Sequence, residues 1–308
     1  MKATEIRRIG IVGGGYVGHG AAQQFAQSGY PVTLYNRMAE STARAMANID
    51  KDLDFFAEAG LVSQSERDAA RACISPTNDL AAAVAEADFV VEAVAEQLPV
   101  KQEIFQKLDA LAPERAILAS ETSGLCMTDI ARHTRRPGRC ITTHNYTPPP
   151  PIPVVEVVPG ERTNPAVVET TCALLRHIGK EPVVCKEVPV NIGVRLTTAL
   201  RREAYYIVEK EYATPETVDT VLRSVARLLP VIGAFTMSDL SGVDVLRDVH
   251  SNIHPHLDHR PGPSPLLDKI IAEGKLGVKS GESFYRWSPE QVNEMFSTPG
   301  EELIRWMR

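Results

Sequence analysis

The chain has 308 residues, 44% of them hydrophobic and 23% charged, and 39 acidic against 33 basic side chains leave a formal net charge of -6. That usage excludes disordered, collagen-like and small disulfide-scaffold proteins, and the length suggests about two domains, each able to bury a core. The acidic balance supplies no general field for nucleic acid or an anionic membrane, so a small-molecule partner is expected.

Residues 8–12 (RIGIV) form a β-branched run that predicts a strand. From Gly15 through Ser28 the spacing turns helical, with Val17, Ala21, Phe25 and Ala26 apolar, and Gly29 ends it. Residues 31–35 (PVTLY) predict the next strand, so the opening is a strand-helix-strand unit. Apolar runs at 89–94, 116–119, 139–143, 154–158 and 181–184 predict further strands, with helical patterns between several of them. This alternation implies an α/β domain with a largely parallel sheet. After about Val188 the strand signals stop; 195–211 reads as a long amphipathic helix, helical stretches continue to about Leu246, and the tail PGEELIRWMR predicts a short terminal helix. The expected organisation is a Rossmann-type dinucleotide-binding domain over residues 1–188 followed by an all-α domain over 189–308. No apolar run approaches the roughly 20 residues that a membrane helix requires. Five cysteines without a CxxC pair read as reduced thiols of a cytoplasmic protein.

Gly13, Gly15 and Gly18 fit GxGxxG where the first strand turns into the first helix. Gly13 can make the tight turn, Gly15 can let a pyrophosphate approach the backbone at the helix N-terminus, and Gly18 permits close helix-strand packing. NAD-selective sites of this kind place an acidic residue at the end of the second strand, but here Asn36 and Arg37 stand there. An amide removes the repulsion a carboxylate exerts on a 2'-phosphate, and the guanidinium supplies a cation to pair with it. The expected cofactor is therefore NAD(P), with NADP slightly favoured over NAD.

His144 and Glu156 flank a proline-rich connection between two predicted strands, an arrangement that lets them meet. A histidine with a carboxylate behind it is a general base whose protonated form is stabilised. His250, His254, His256, Asp258 and His259 offer ligand types suited to zinc, but no cysteine lies nearby and no metal is expected. The run Pro148–Pro151 is read as a stiff wall beside His144 rather than a polyproline ligand.

The segments RIGIVGGGYVGHG, FVVEAVAEQLPVK, ILASETSGL, TTHNYTPPPPIPVVEVVPG, REAYYIVEKEYATPETVD and GKLGVKSGESFY occur in this order. Together they resemble the L-3-hydroxyacyl-CoA dehydrogenase family and its free-acid relatives, the L-gulonate 3-dehydrogenase (λ-crystallin) and carnitine dehydrogenase types. The resemblance covers about residues 7–287. It implies that His144 and Glu156 are the catalytic pair and that Ser123 hydrogen-bonds the reacting oxygen. It places Ala93, Glu96 and Lys101 near the nicotinamide end of the cofactor and implies a homodimer made by the helical domain.

Departures from the family pattern matter as much. Arg195 aligns with the arginine of an Asn-Arg pair, but Val194 stands where a site asparagine is expected. Asn191, three residues earlier, shares a face with Val194 if the stretch is already helical. Thr147 replaces another asparagine, and Ser283 the second glycine of the GxGFY tail. Residues 41–72 are net acidic, where CoA-binding members carry lysines, and Ile152-Pro153 resembles the free-acid branch. The expected activity is hydride transfer between the 3-hydroxy/3-oxo carbon of a small 3-hydroxy acid and NAD(P). A CoA thioester is the alternative substrate. A non-catalytic dinucleotide-binding sensor is the alternative from another class, against which the retention of Ser123, His144 and Glu156 argues.

Overall fold

A computed structural model describes residues 2–288 and 290–292. Its strands are β1 (Ile9–Val12), β2 (Val32–Tyr35), β3 (Ile74–Thr77), β4 (Phe89–Glu92), β5 (Ile117–Ser120), β6 (Cys140–Asn145), β7 (Val154–Pro159) and β8 (Glu181–Val184). They form one sheet in the order β3-β2-β1-β4-β5-β6-β7-β8. All neighbours are parallel except β6 and β7, which pair antiparallel. The order runs outward in both directions from β1 and β4, which makes a topological switch point at the β1/β4 junction.

The helices of the sheet region are α1 (Tyr16–Gln27), α2 (Ala39–Glu58), α3 (Gln64–Ala72), α4 (Leu80–Val84), α5 (Leu98–Leu111), α6 (Met127–Ile130) and α7 (Pro165–His177). One apolar cluster joins Ile9, Ile11 and Leu34 to Phe25 of α1, Ile49 of α2 and Leu174 of α7. The other joins Val12, Val90 and Leu118 to Phe105 and Leu108 of α5. Alternate residues of β1, β4, β5 and β6 feed the two clusters, so both faces of the sheet's centre are covered, as a parallel sheet requires.

The remaining helices are α8 (Ile192–Glu209), α9 (Pro215–Val225), α10 (Leu229–Ile232), α11 (Ala234–Ser241), α12 (Val243–Ile253) and α13 (Pro265–Ala272). Contacts divide the chain into two compact units after Val194. Residues 189–194 group with the sheet because the amides of Val190 and Asn191 bond the carbonyls of Gly124 and Ser123, at 3.3 and 3.1 Å.

Three sequence expectations need comment. Strand β3 escaped the reading because ISPT has one apolar β-former and carries Pro76, which a sheet tolerates at an edge, where β3 lies. Asn191 precedes α8 rather than belonging to it, so it does not share a helical face with Val194. The terminal helix expected from PGEELIRWMR lies outside the described residues. No single helix among those described is long and apolar enough to cross a membrane.

Candidate active site

The carboxyl ends of β1, β4, β5 and β6 lie along one edge of the sheet, and the antiparallel return of β7 brings its first residues to the same edge. Here the turn Gly13–Gly15 leads into α1. Gly13 has φ +104°, and a Cβ there would lie 2.5 Å from the Ala93 carbonyl oxygen. A Cβ on Gly18 would overlap the Gly13 carbonyl, so the helix approaches the strand as closely as backbones permit. Gly15 has open space around its Cβ position and caps α1 without a side chain, and no acidic residue stands in the first turn. Exposed backbone amides at a helix N-terminus without a competing carboxylate fit a pyrophosphate.

At the end of β2, Asn36 is buried and its Oδ1 accepts from the Gly14 amide at 2.7 Å. Its Nδ2 is buried without a partner, an orphan donor beside the glycine turn. Arg37 is exposed, and no carboxylate among the described residues pairs with it. The side chains at this position thus offer donors only, a set that fits a ribose hydroxyl or its phosphate ester.

A buried ionic network fixes the next loops. Lys101 is 1% exposed, and its ammonium lies 2.8 and 3.1 Å from the two oxygens of Glu92, itself wholly buried. Glu92 also accepts from Ser120 Oγ at 2.6 Å and the Val94 amide at 2.7 Å, so the ion pair is fully satisfied. Glu96 lies 3.4 Å from Lys101. Its Oε1 accepts from the Thr122 hydroxyl at 2.6 Å and the Ser123 and Gly124 amides at 2.9 and 3.1 Å. Partial burial opposes its ionisation, yet Thr122, Lys101 and these amides outweigh that and hold its carboxyl below the ordinary value. Glu96 and Lys101 thereby set the position of the Ser123 loop.

His144 and Glu156 are direct cross-strand partners in the β6/β7 register. Both are buried, and His144 Nδ1 lies 3.2 Å from Glu156 Oε2. Desolvation pushes the imidazole below its ordinary value, against the hydrogen bond and charge of Glu156, which raise it. With Nδ1 turned to the carboxylate, Nε2 is the nitrogen left to meet a substrate. The other carboxylate oxygen, Oε1, accepts from the Gly193 amide at 3.0 Å.

No hydrogen bond among the described residues joins Ser123 directly to His144. The link runs through Asn191, whose Nδ2 donates to the Thr122 carbonyl at 2.9 Å and whose amide meets Ser123, and then through Gly193 to Glu156. Asn191 therefore splints the two loops and has one amide hydrogen already committed. Val194 and Arg195 lie at the unit boundary.

Several site residues were not visible in the sequence reading. Tyr146 lies with its ring edge-on to His144, centroids 4.8 Å apart. Its signal was its place two residues beyond His144, on the same strand face. Glu121, just past β5, accepts from the Asn145 amide and Nδ2 at 2.9 and 2.8 Å, and burial raises its carboxyl to about 7. Lys180 is buried against the carbonyls of Pro149 and Ile152, which ties down the proline wall, and burial lowers its ammonium to about 8.

The histidine-rich stretch does not converge. His250 and His254 stack at 5.0 Å, Asp258 is bonded to Arg260, and no three metal-binding side chains come together among the described residues.

Comparison with known proteins matches residues 8–188 to the family described as 3-hydroxyacyl-CoA dehydrogenase, NAD binding domain, and 192–287 to its C-terminal domain. The chain is similar to 5-formyl-3-hydroxy-2-methylpyridine 4-carboxylate 5-dehydrogenase of Mesorhizobium japonicum, 32% identical over 97% of this chain and 96% of that one. It is also similar to the probable 3-hydroxybutyryl-CoA dehydrogenase of Bacillus subtilis, 34% identical over 91% of this chain and 97% of that one. Among solved structures, a 5-formyl-3-hydroxy-2-methylpyridine 4-carboxylic acid 5-dehydrogenase described as an NAD+ dependent dismutase superposes with a TM-score of 0.90. It is 32% identical and covers 98% of both chains.

Proposed function

The chain belongs to the 3-hydroxyacyl-CoA dehydrogenase family and is an NAD(P)-dependent dehydrogenase acting on a hydroxyl group; on that premise we propose that its substrate is a free 3-hydroxy acid or the corresponding 3-oxo acid. The observation that carries this choice lies on α2 and α3. Arg67 is held by Asp54 at 2.8 Å and Asp68 at 3.2 Å, and Arg71 by Asp50 at 2.6 Å. Two of the four cations of residues 41–72 are thus neutralised by carboxylates, which leaves Arg44 and Lys51 as the cations open to the nucleotide phosphates of CoA and disfavours that ligand. The similarity to a pyridine carboxylate dehydrogenase supports the same class.

In this reading the nicotinamide, when bound, supplies the hydride acceptor. His144 Nε2 takes the proton of the substrate hydroxyl while hydride leaves the same carbon. Glu156, bonded to Nδ1, fixes the tautomer and stabilises the imidazolium. The Ser123 hydroxyl holds the reacting oxygen, on a loop pinned by Glu96 and Asn191. The turn from Gly13 to Gly15 would receive the pyrophosphate at the N-terminus of α1, with Gly18 closing the helix onto the strand, and Ala93, Glu96 and Lys101 would shape the nicotinamide end. Arg37 and the orphan Nδ2 of Asn36 support use of NADP beside NAD, with NADP slightly preferred.

The enzyme works as a homodimer through its second unit, a reading supported by Leu196, Phe235, Leu240 and Val243, whose exposures are 68, 89, 76 and 65%. Its five free cysteines suit a reducing compartment such as the cytoplasm. Nicotinamide absorbance should be followed with free 3-hydroxy acids and matched CoA thioesters, each with both cofactors. A higher specificity constant for the free acid supports the proposal, and a clear advantage for the thioester overturns it.

A further inference from the structure

The catalytic reading above uses His144 and Glu156 but leaves Tyr146 without a task. Tyr146 follows β6 directly, and its ring stands edge-on to His144 at 4.8 Å. The phenol reaches past the imidazole and directs its hydroxyl at Glu156, whose carboxylate raises it after burial does. The space it occupies exists only because residue 193 is glycine, since a Cβ there would overlap the phenol oxygen. The Gly193 amide faces both that oxygen and Glu156 Oε1. Glu156, 3% exposed, thus accepts from the Gly193 amide and meets His144 Nδ1, and the Tyr146 hydroxyl faces it as a third polar neighbour.

A carboxylate distributes a fixed charge among its donors, and in a buried site each further hydrogen bond reduces what the others receive. We infer that Tyr146 is a positioning residue that limits how much of the Glu156 carboxylate reaches His144, and so sets the proton affinity of the base. The inference rests on His144 being that base. Burial first, and the Glu156 carboxylate second, raise the phenol above its ordinary value, so it stays a neutral donor across the working range. The other titratable groups whose charge bears on this cluster are Glu96, which acts on His144, and Cys185 beyond β8, whose thiol is raised by burial and then by Glu156. Both sit at the same distance in a Tyr146→Phe variant, so a change there reports the hydroxyl.

The sign follows directly. Removing the hydroxyl returns negative charge to the Glu156-His144 bond, the imidazolium gains stability, and the histidine titrates at higher pH. The test is a nuclear magnetic resonance titration of the His144 ring in cofactor-free wild type and Tyr146→Phe, together with the pH profile of kcat/KM for both. The His144 midpoint is expected to rise by roughly 0.5 to 1 pH unit in the variant, and the acid limb of the rate profile to move with it. Gly193→Ala, which displaces the hydroxyl by crowding, is expected to shift the midpoint in the same direction. An unchanged or lowered midpoint in a folded Tyr146→Phe protein overturns the inference. A raised midpoint with an unmoved rate profile supports the role of Tyr146 and instead refutes His144 as the base.

Discussion

Every position of β1, β4 and β5 is buried, whereas across the five helices from α9 to α13 only Val218 is a buried apolar side chain among the residues described. The sheet region closes two apolar clusters around its own strands. The helical region is held instead by polar and aromatic contacts. Arg260 bridges Glu209 at 2.8 and 3.0 Å and Asp258 at 2.9 Å, and Tyr205 stacks on Phe284 at 5.7 Å. These pairs are partly buried, with Asp258 only 5% exposed, whereas Phe235 and Leu240 of α11 and Val243 of α12 stand exposed. In the first region the closed core holds Glu92, Lys101, His144 and Glu156 buried and in fixed geometry.

The comparison breaks most visibly at the base. His144→Gln should lower turnover by roughly a hundredfold or more while cofactor dissociation constants stay close to wild type, measured by nicotinamide fluorescence. If turnover persists, the buried pair of the first region is not the chemical centre.

The second region is sharpened by putting charge on its exposed apolar faces. Phe235→Asp and Val231→Asp, at positions 89 and 72% exposed, would be neutral on a solvated surface. In a homodimer each should cost roughly 1.5 kcal/mol or more of association, visible as a concentration-dependent shift to monomer in sedimentation. Unchanged association with unchanged thermal stability would mean these faces are not covered by a second copy.

A smaller effect lies inside the first region. The Glu121 carboxyl is raised to about 7 by burial, so the folded state holds a proton that the unfolded state gives up near its ordinary value. Stability therefore falls as pH rises between about 4.5 and 7. Glu121→Gln removes that loss and should be more stable than wild type at pH 8, by on the order of 1 to 3 kcal/mol, with the advantage gone at pH 4. Denaturant melts at the two values measure it.

The smallest expected effect concerns the exposed Arg37. Arg37→Ala should weaken NADPH binding by about tenfold or less, because solvent screens the contact, and leave NADH unchanged. Asn36→Asp should turn preference towards NADH.

What the sequence made legible followed from patterns with a physical period. The glycine turn, the other seven strands and the helical second region are visible because apolar spacing and glycine placement encode them. The His144-Glu156 pair was suggested by its spacing, and its cause is the antiparallel register, a long-range pairing that spacing does not specify. Strand β3 was hidden by its proline and edge position. The task of Asn191 depends on contacts with Thr122 and Ser123 nearly seventy residues away, and Tyr146 and Gly193 acquire meaning only when they meet at Glu156.

The account's central claim, a base made by His144 and tuned by Glu156, is tested most directly by the pH dependence of kcat/KM in wild type and Glu156→Gln. Because burial lowers the imidazole from 6.5, the wild-type acid limb should fall with a single proton at a pH below that value. In Glu156→Gln the imidazolium loses its carboxylate, so the limb should move lower still and the plateau should drop. An acid limb that stays in place when Glu156 is neutralised would contradict the account.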